Sequence, residues 1–203
     1  MRPRRIRQRK GALPDQTGPV GDLLIITGPP GSGKSTVAAL VVEAFSPSAL
    51  VPGDDFFAML RSGRLAPWLP EAHAQNEVVT AAAGAATGRL VVGGLHVVYD
   101  GVLGPWFLPL FLDDAQVAVA DYVVLLPDVE TCVHRVRGRT GHGFVDENAT
   151  RRMHADFAAA RTDGRHVLDL GTADETAREI LRRRAAGVLQ VHPRSGGATG
   201  LAR

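Results

Sequence analysis

The chain of 203 residues has a single cysteine, Cys132, so no intramolecular disulfide can form. That agrees with a reducing compartment and excludes a disulfide-stapled secreted scaffold. Cys132 falls among apolar residues of a predicted helix, where a packing role is expected of it rather than nucleophilic chemistry. Aromatic residues are few, at 5%. No apolar run approaches the roughly 20 residues of a membrane span, and the Arg-rich start is not followed by the apolar segment of a secretory signal. A cytoplasmic protein without a membrane partner is expected. Lysine is nearly absent as well: Lys10 and Lys34 are the only two, so 21 of the 23 Lys and Arg residues are arginine.

Against that background the position of Lys34 carries information. It lies in Gly28-Pro29-Pro30-Gly31-Ser32-Gly33-Lys34-Ser35-Thr36, which fits the phosphate-binding pattern G-x-x-x-x-G-K-[ST] in full. The strand-like run Leu23-Leu24-Ile25-Ile26 precedes it. Residues 35–45 follow with Val37, Leu40, Val41, Ala44 and Phe45 at helical spacing. Glycines let successive backbone N–H groups converge on phosphate oxygens, and the helix start adds its positive end. Lys34 is expected along the β- and γ-phosphates of ATP, the Ser35 hydroxyl on Mg²⁺, and Thr36 near the α-phosphate. A compact ammonium on a flexible stem suits that position better than a planar guanidinium.

The remaining charge is divided unevenly. Residues 1–22 carry six basic side chains against two acidic ones, so the net charge of +2 leaves the rest of the chain mildly acidic. Residues 1–22 are expected to be a disordered basic leader, residues 23–190 the folded domain, and residues 191–203 a disordered tail. An acidic body makes nucleic acid an unlikely partner class on composition. A monomer or homodimer is expected.

Further along, Ala49-Leu50-Val51 is a short apolar run ending in Gly53-Asp54-Asp55-Phe56. In a parallel α/β sheet the acids at the end of this strand would share an edge with the phosphate loop, where one of them would orient a substrate hydroxyl and accept its proton. The alternative is an Asp pair that caps the next helix. Residues 58–76 are polar and less regular, and Arg61, Trp68 and Gln75, with Asp55 and Phe56, are the candidate substrate contacts. Trp68 would serve equally to anchor the segment. A helix is predicted over 72–87, ending near Gly88. His96-Val97-Val98-Tyr99 delivers Asp100-Gly101, so that Asp100 is the candidate Mg²⁺ residue, with a turn-forming Asp-Gly as the alternative.

Residues 108–112 form an apolar segment, and residues 121–126 a buried strand stopped by Pro127. A helix over 128–137 presents Arg135, Arg137 and Arg139. Such a cluster suits a mobile lid that neutralises a transferring phosphoryl group; the alternative is a basic helix end that complements its dipole. A helix over 147–160, a last strand over 166–170 and a helix over 173–189 complete the pattern. The turn between the last two would border adenine or simply begin a helix capped by Thr172.

These motifs, in this order, resemble the small-molecule kinases of the P-loop superfamily, among them the chloramphenicol phosphotransferase-like, gluconate and shikimate kinases. The Asp-Asp-Phe-Phe stretch is similar to uridine and nicotinamide riboside kinases. The resemblance covers residues 23 to about 189. It implies an α/β fold with a parallel sheet of about five strands flanked by helices, and a small Arg-bearing lid near 137–145. It also implies a catalytic base at Asp54 or Asp55, with Lys34, Arg135 and Arg139 supporting the transfer of the γ-phosphate of ATP to a hydroxyl of a small molecule. The loop with Pro29-Pro30 is similar to that of AAA-type ATPases too, but Asp100 is followed by Gly101 and not by the Glu that activates water in those enzymes. The second reading is a nucleotide-dependent regulatory protein without a small-molecule acceptor.

Overall fold

The computed structural model describes residues 21–138, 146–169 and 171–193. Residues 1–20 of the predicted leader and most of the predicted tail lie outside the described residues, as does Leu170.

Six strands form one sheet in the order β2-β3-β1-β4-β5: β1 (Leu23–Thr27), β2 (Ser48–Pro52), β3 (His96–Asp100), β4 (Ala120–Leu125) and β5 (Val167–Leu168) are parallel, and β6 (Gln190–Val191) runs antiparallel against β4. All five residues of β1 are buried, as expected of a central strand covered on both faces. Alternation splits the core accordingly. Leu23, Ile25, Val97, Tyr99, Tyr122 and Val124 pack on one face with helices α3 (His73–Val92) and α4 (Leu108–Ala115). Leu24, Ile26, Val98, Val123 and Leu125 pack on the other with α1 (Lys34–Val42) and α7 (Ala173–Ala185). The remaining helices are α2 (Gly53–Ala58), α5 (Val129–Arg137) and α6 (Glu147–Ala159). Among the described residues no helix is long and apolar enough to cross a membrane.

Three boundaries differ from the sequence expectation. Helix α3 runs past Gly88 to Val92 because this glycine is a packing residue: a Cβ there would meet the Ala115 carbonyl oxygen at 2.0 Å, and one at Gly84 the Phe111 carbonyl oxygen at 2.5 Å. The two glycines let α3 and α4 approach backbone to backbone. Helix α7 stops at Ala185, after which Gly187, at φ 67°, turns the chain so that Leu189 is buried and β6 can pair with β4. The last parallel strand is also shorter than predicted, since residues 164–166 form a tight helical turn before it.

Candidate functional site

The strand order decides what lies beside the phosphate loop. β1 is flanked by β3 and β4, with Ile26 in register with Asp100 and Thr27 with Val124. Asp100 in turn pairs in register with Pro52 of β2, the residue before Gly53-Asp54. The ends of β1, β2 and β3 therefore bring Lys34, Asp54 and Asp100 to one edge, which a parallel sheet leaves open to ligand.

The three loop glycines with positive φ serve different needs. At Gly28 a Cβ would meet the Leu125 carbonyl oxygen at 2.2 Å, and at Gly31 the Cys132 carbonyl oxygen at 2.2 Å. At Gly33, with φ +93°, the nearest atom would be Nη1 of Arg135, at 3.5 Å. Gly28 and Gly31 thus let the loop press on the protein's own backbone, while Gly33 faces the cavity. Gly33 also occupies the N-cap of α1, leaving the first N–H groups of that helix without a side-chain cap. Pro29 and Pro30 are buried within the loop, as is Ser32, whose Oγ makes no hydrogen bond to a described residue. Lys34 is only 7% exposed, and Ser35 and Thr36 are exposed at the helix start. Backbone N–H groups converging at a helix start are the donors of an anion site.

Arg135 reaches back from α5 with Nη1 3.4 Å from the carbonyl oxygens of both Gly31 and Ser32. A cavity of about 340 Å³ opens beside it, bordered by Ser32, Gly33 and Thr36 of the loop, by Pro127, by Asp169, Gly171 and Thr172 of the turn between β5 and α7, and by Thr176 of α7. Of the two sequence readings of this turn, the helix cap is observed. Thr172 caps α7 in a reciprocal box with Glu175, and the same turn lines the cavity. Arg139 and residues 139–145, where the lid is expected, lie outside the described residues. Arg137 instead forms a two-pronged ion pair with Glu147, with both contacts at 2.7 Å, and Arg151 pairs with Glu130, so that α5 and α6 are tied together. Cys132 is fully buried, and burial pushes its thiol up to about 11, as a packing residue requires.

On the other side of the loop, Asp54 and Asp55 are both exposed in the first turn of α2. Neither caps the helix, whose N-cap is Pro52 and has no side-chain cap. The buried Tyr99 phenol is pushed well above its ordinary value by burial, with further contributions from the carboxylates of Asp54 and Asp100. Asp100 is itself only 8% exposed.

The expected substrate contacts divide. Phe56 packs against the core cluster and is committed there. The Gln75 amide is spent on the main chain, since its oxygen accepts from Leu65 N at 2.8 Å and its nitrogen donates to Leu65 O at 3.0 Å. With Asn76, which donates to Pro67 O at 2.7 Å, it fixes the segment that carries the half-buried Trp68. Arg61 is exposed, with no ion pair among the described residues. Sequence reasoning passed over Thr27, whose Oγ1 accepts from Leu103 N at 2.8 Å and pins the chain just after Asp100.

The chain matches the family model described as an AAA domain over residues 23–164. It belongs to this AAA domain family. The match starts at β1, includes the Pro29-Pro30 loop and spans most of the predicted domain. No curated protein matches this AAA-domain chain in sequence. Its fold is that of P-loop kinases. A sugar kinase from Janibacter sp. HTCC2649 superposes with TM-score 0.63 at 18% identity, covering 83% of this chain and 98% of that one. A gluconokinase from Sinorhizobium meliloti 1021 gives 0.56 at 19%, covering 84% and 95%. Shikimate kinase from Acinetobacter baumannii gives 0.53 at 17%, covering 82% and 94%.

Proposed function

We propose that this chain is an ATP-dependent phosphotransferase acting on a hydroxyl of a small molecule, of the class of an antibiotic, a nucleoside or a sugar acid, in a cytoplasmic setting. The observation that carries the reading is the convergence on one sheet edge of a nucleotide-type loop with the exposed Asp54 and the buried Asp100, with no acid after Asp100 to activate water. The likeness to kinases supports the same reaction class.

The residues present fit ATP and Mg²⁺. The loop has an orphaned Ser32 Oγ and an open position at Gly33, and among the described residues no group of three or more His, Cys, Asp or Glu would cage a metal. Mg²⁺, which typically keeps waters and phosphate oxygens as ligands, needs only the Ser35 hydroxyl and Asp100 from the protein. When bound it supplies charge neutralisation on the phosphates.

The roles of the chain's own groups follow. Gly28 to Gly33 present backbone N–H groups to the phosphates, and Lys34 adds charge to the β- and γ-phosphates. Arg135 lies over the same loop and meets charge that builds on the transferring group; Arg139 is proposed for the same task. Asp54 orients the acceptor hydroxyl and takes its proton as the new O–P bond forms and the bond between the β-phosphate oxygen and the γ-phosphorus breaks. ADP leaves with the negative charge of the broken bond.

Two substitutions test the scheme in a panel of antibiotics, nucleosides and sugar acids, with ATP consumption as the readout. Lys34→Ala is expected to abolish turnover. Asp54→Asn should lower it about 10²- to 10⁴-fold while leaving ATP binding intact. Full transfer by Asp54→Asn would remove Asp54 as the base. Nucleotide-dependent capture of a partner without any acceptor would replace the reading altogether.

A further inference from the structure

The chain has two tyrosines, and the structure treats their hydroxyls in opposite ways. The Tyr122 hydroxyl donates to Leu103 O at 3.0 Å, which is how a buried phenol is ordinarily satisfied. Tyr99 is buried to 5% exposure, and its ring is held against Phe111 at a centroid distance of 4.6 Å, yet its hydroxyl makes no hydrogen bond to a described residue. Tyr99 retains that 5% of its surface, and its hydroxyl is not among the enclosed polar atoms without a partner.

The backbone around this hydroxyl is cleared on two sides. A Cβ at Gly53 would stand 2.4 Å from Tyr99 Oη, and one at Gly101 2.9 Å from it. Gly53 directly precedes Asp54, and Gly101 directly follows Asp100. Gly53 has a negative φ, so conformation alone does not demand glycine there; the phenol does. The hydroxyl is thus placed between the start of α2 and the end of β3, where the carboxylates of both Asp54 and Asp100 bear on it.

We infer that the Tyr99 hydroxyl is an acceptor-binding group, which donates a hydrogen bond to the oxygen of the acceptor hydroxyl and so holds it with its proton directed at Asp54. This rests on the kinase reading above and adds a residue to it. The chemistry is consistent: the phenol stays protonated, so it donates without competing with Asp54 for the proton, and the acceptor oxygen keeps a lone pair for attack.

The test is Tyr99→Phe, which removes one oxygen and leaves the ring packing in place. In the absence of a known acceptor the probe is water, through slow hydrolysis of MgATP measured as phosphate release, together with the affinity for a non-hydrolysable ATP analogue. Turnover is expected to fall about tenfold, the size of one hydrogen bond to a reacting group. The analogue should bind as tightly as before. The melting temperature should stay the same or rise, because the lost hydroxyl had no intramolecular bond to lose. Tyr122→Phe gives the contrasting signature of lowered stability, since its hydroxyl is bonded. Unchanged hydrolysis in Tyr99→Phe, or a loss of activity that only follows a loss of folded protein, would overturn the assignment while leaving the kinase reading intact. A wild-type protein that binds the analogue but neither hydrolyses ATP nor phosphorylates any acceptor would sink the kinase reading, and the Tyr99 assignment with it.

Discussion

Gly31→Ala and Gly33→Ala, two residues apart in the phosphate loop, should have effects of different kinds. Both positions have positive φ, +81° and +93°. Each alanine therefore incurs a left-handed strain of about 1–2 kcal/mol. At Gly31 the new methyl would also lie 2.2 Å from the Cys132 carbonyl oxygen and 2.9 Å from its carbon, which are backbone atoms of a packed helix and cannot swing aside. Overpacking of that sort adds about 1–3 kcal/mol. At Gly33 the only neighbour among the described residues is the tip of Arg135, 3.5 Å away and on a flexible side chain. Gly31→Ala should thus lower stability by about 2–5 kcal/mol in urea unfolding, and Gly33→Ala by about 1–2. For a chain of this size each kcal/mol moves the melting temperature by about 2–4 °C, so the two variants separate readily in a thermal scan. Binding of a fluorescent ATP analogue should reverse the ranking per folded molecule: Gly33→Ala loses it, because the methyl projects where phosphate must approach. Equal destabilisation by the two alanines, with equal loss of nucleotide, would refute the division of roles among the glycines.

His166 is buried, with Nδ1 2.9 Å from Tyr122 O, and burial lowers its pKa below the ordinary value. The unfolded chain then binds the proton more readily than the folded one, so stability should decline as pH falls below about 6.5, the value for an unperturbed histidine, and level off below the folded value. Urea midpoints between pH 8 and 5 measure this, and His166→Gln should flatten the curve; a wild-type midpoint that rises on acidification would contradict it. Thr172→Ala removes the cap of α7 and should cost about 0.5–2 kcal/mol. Because the same turn borders the cavity, ATP affinity should weaken as well, which a titration of the folded variant would detect.

Much of the site was legible because it is local. Gly28 to Thr36 declare their loop by spacing, and the runs feeding β1, β3 and β4 are apolar enough to show as strands. What remained hidden depends on contacts made across the fold. Asp54 and Asp55 are indistinguishable in sequence, and that Asp54 bears on the Tyr99 phenol depends on β3 lying beside the start of α2. Gly88 reads as a helix stop until α4 is seen lying against it. Gln75, a polar residue near a predicted substrate segment, is used instead to hold the Leu65 backbone. β6 is a two-residue strand, too short for any periodic signal, and exists because Gly187 returns the chain to β4. The cap of Thr172 was visible as a Thr-x-x-Glu pattern, but its second duty at the cavity wall was left open by sequence alone.

The backbone contacts at Gly28 and Gly31 mean that the nucleotide loop is not a portable part. Its shape is cast against the carbonyls of Leu125 and Cys132, about a hundred residues downstream, and one arginine from that same helix crosses back over it. Grafting residues 28–36 onto another strand and helix would carry the pattern but leave its mould behind. In a designed scaffold the two opposing carbonyls would have to be specified together with the loop, as a single three-segment unit.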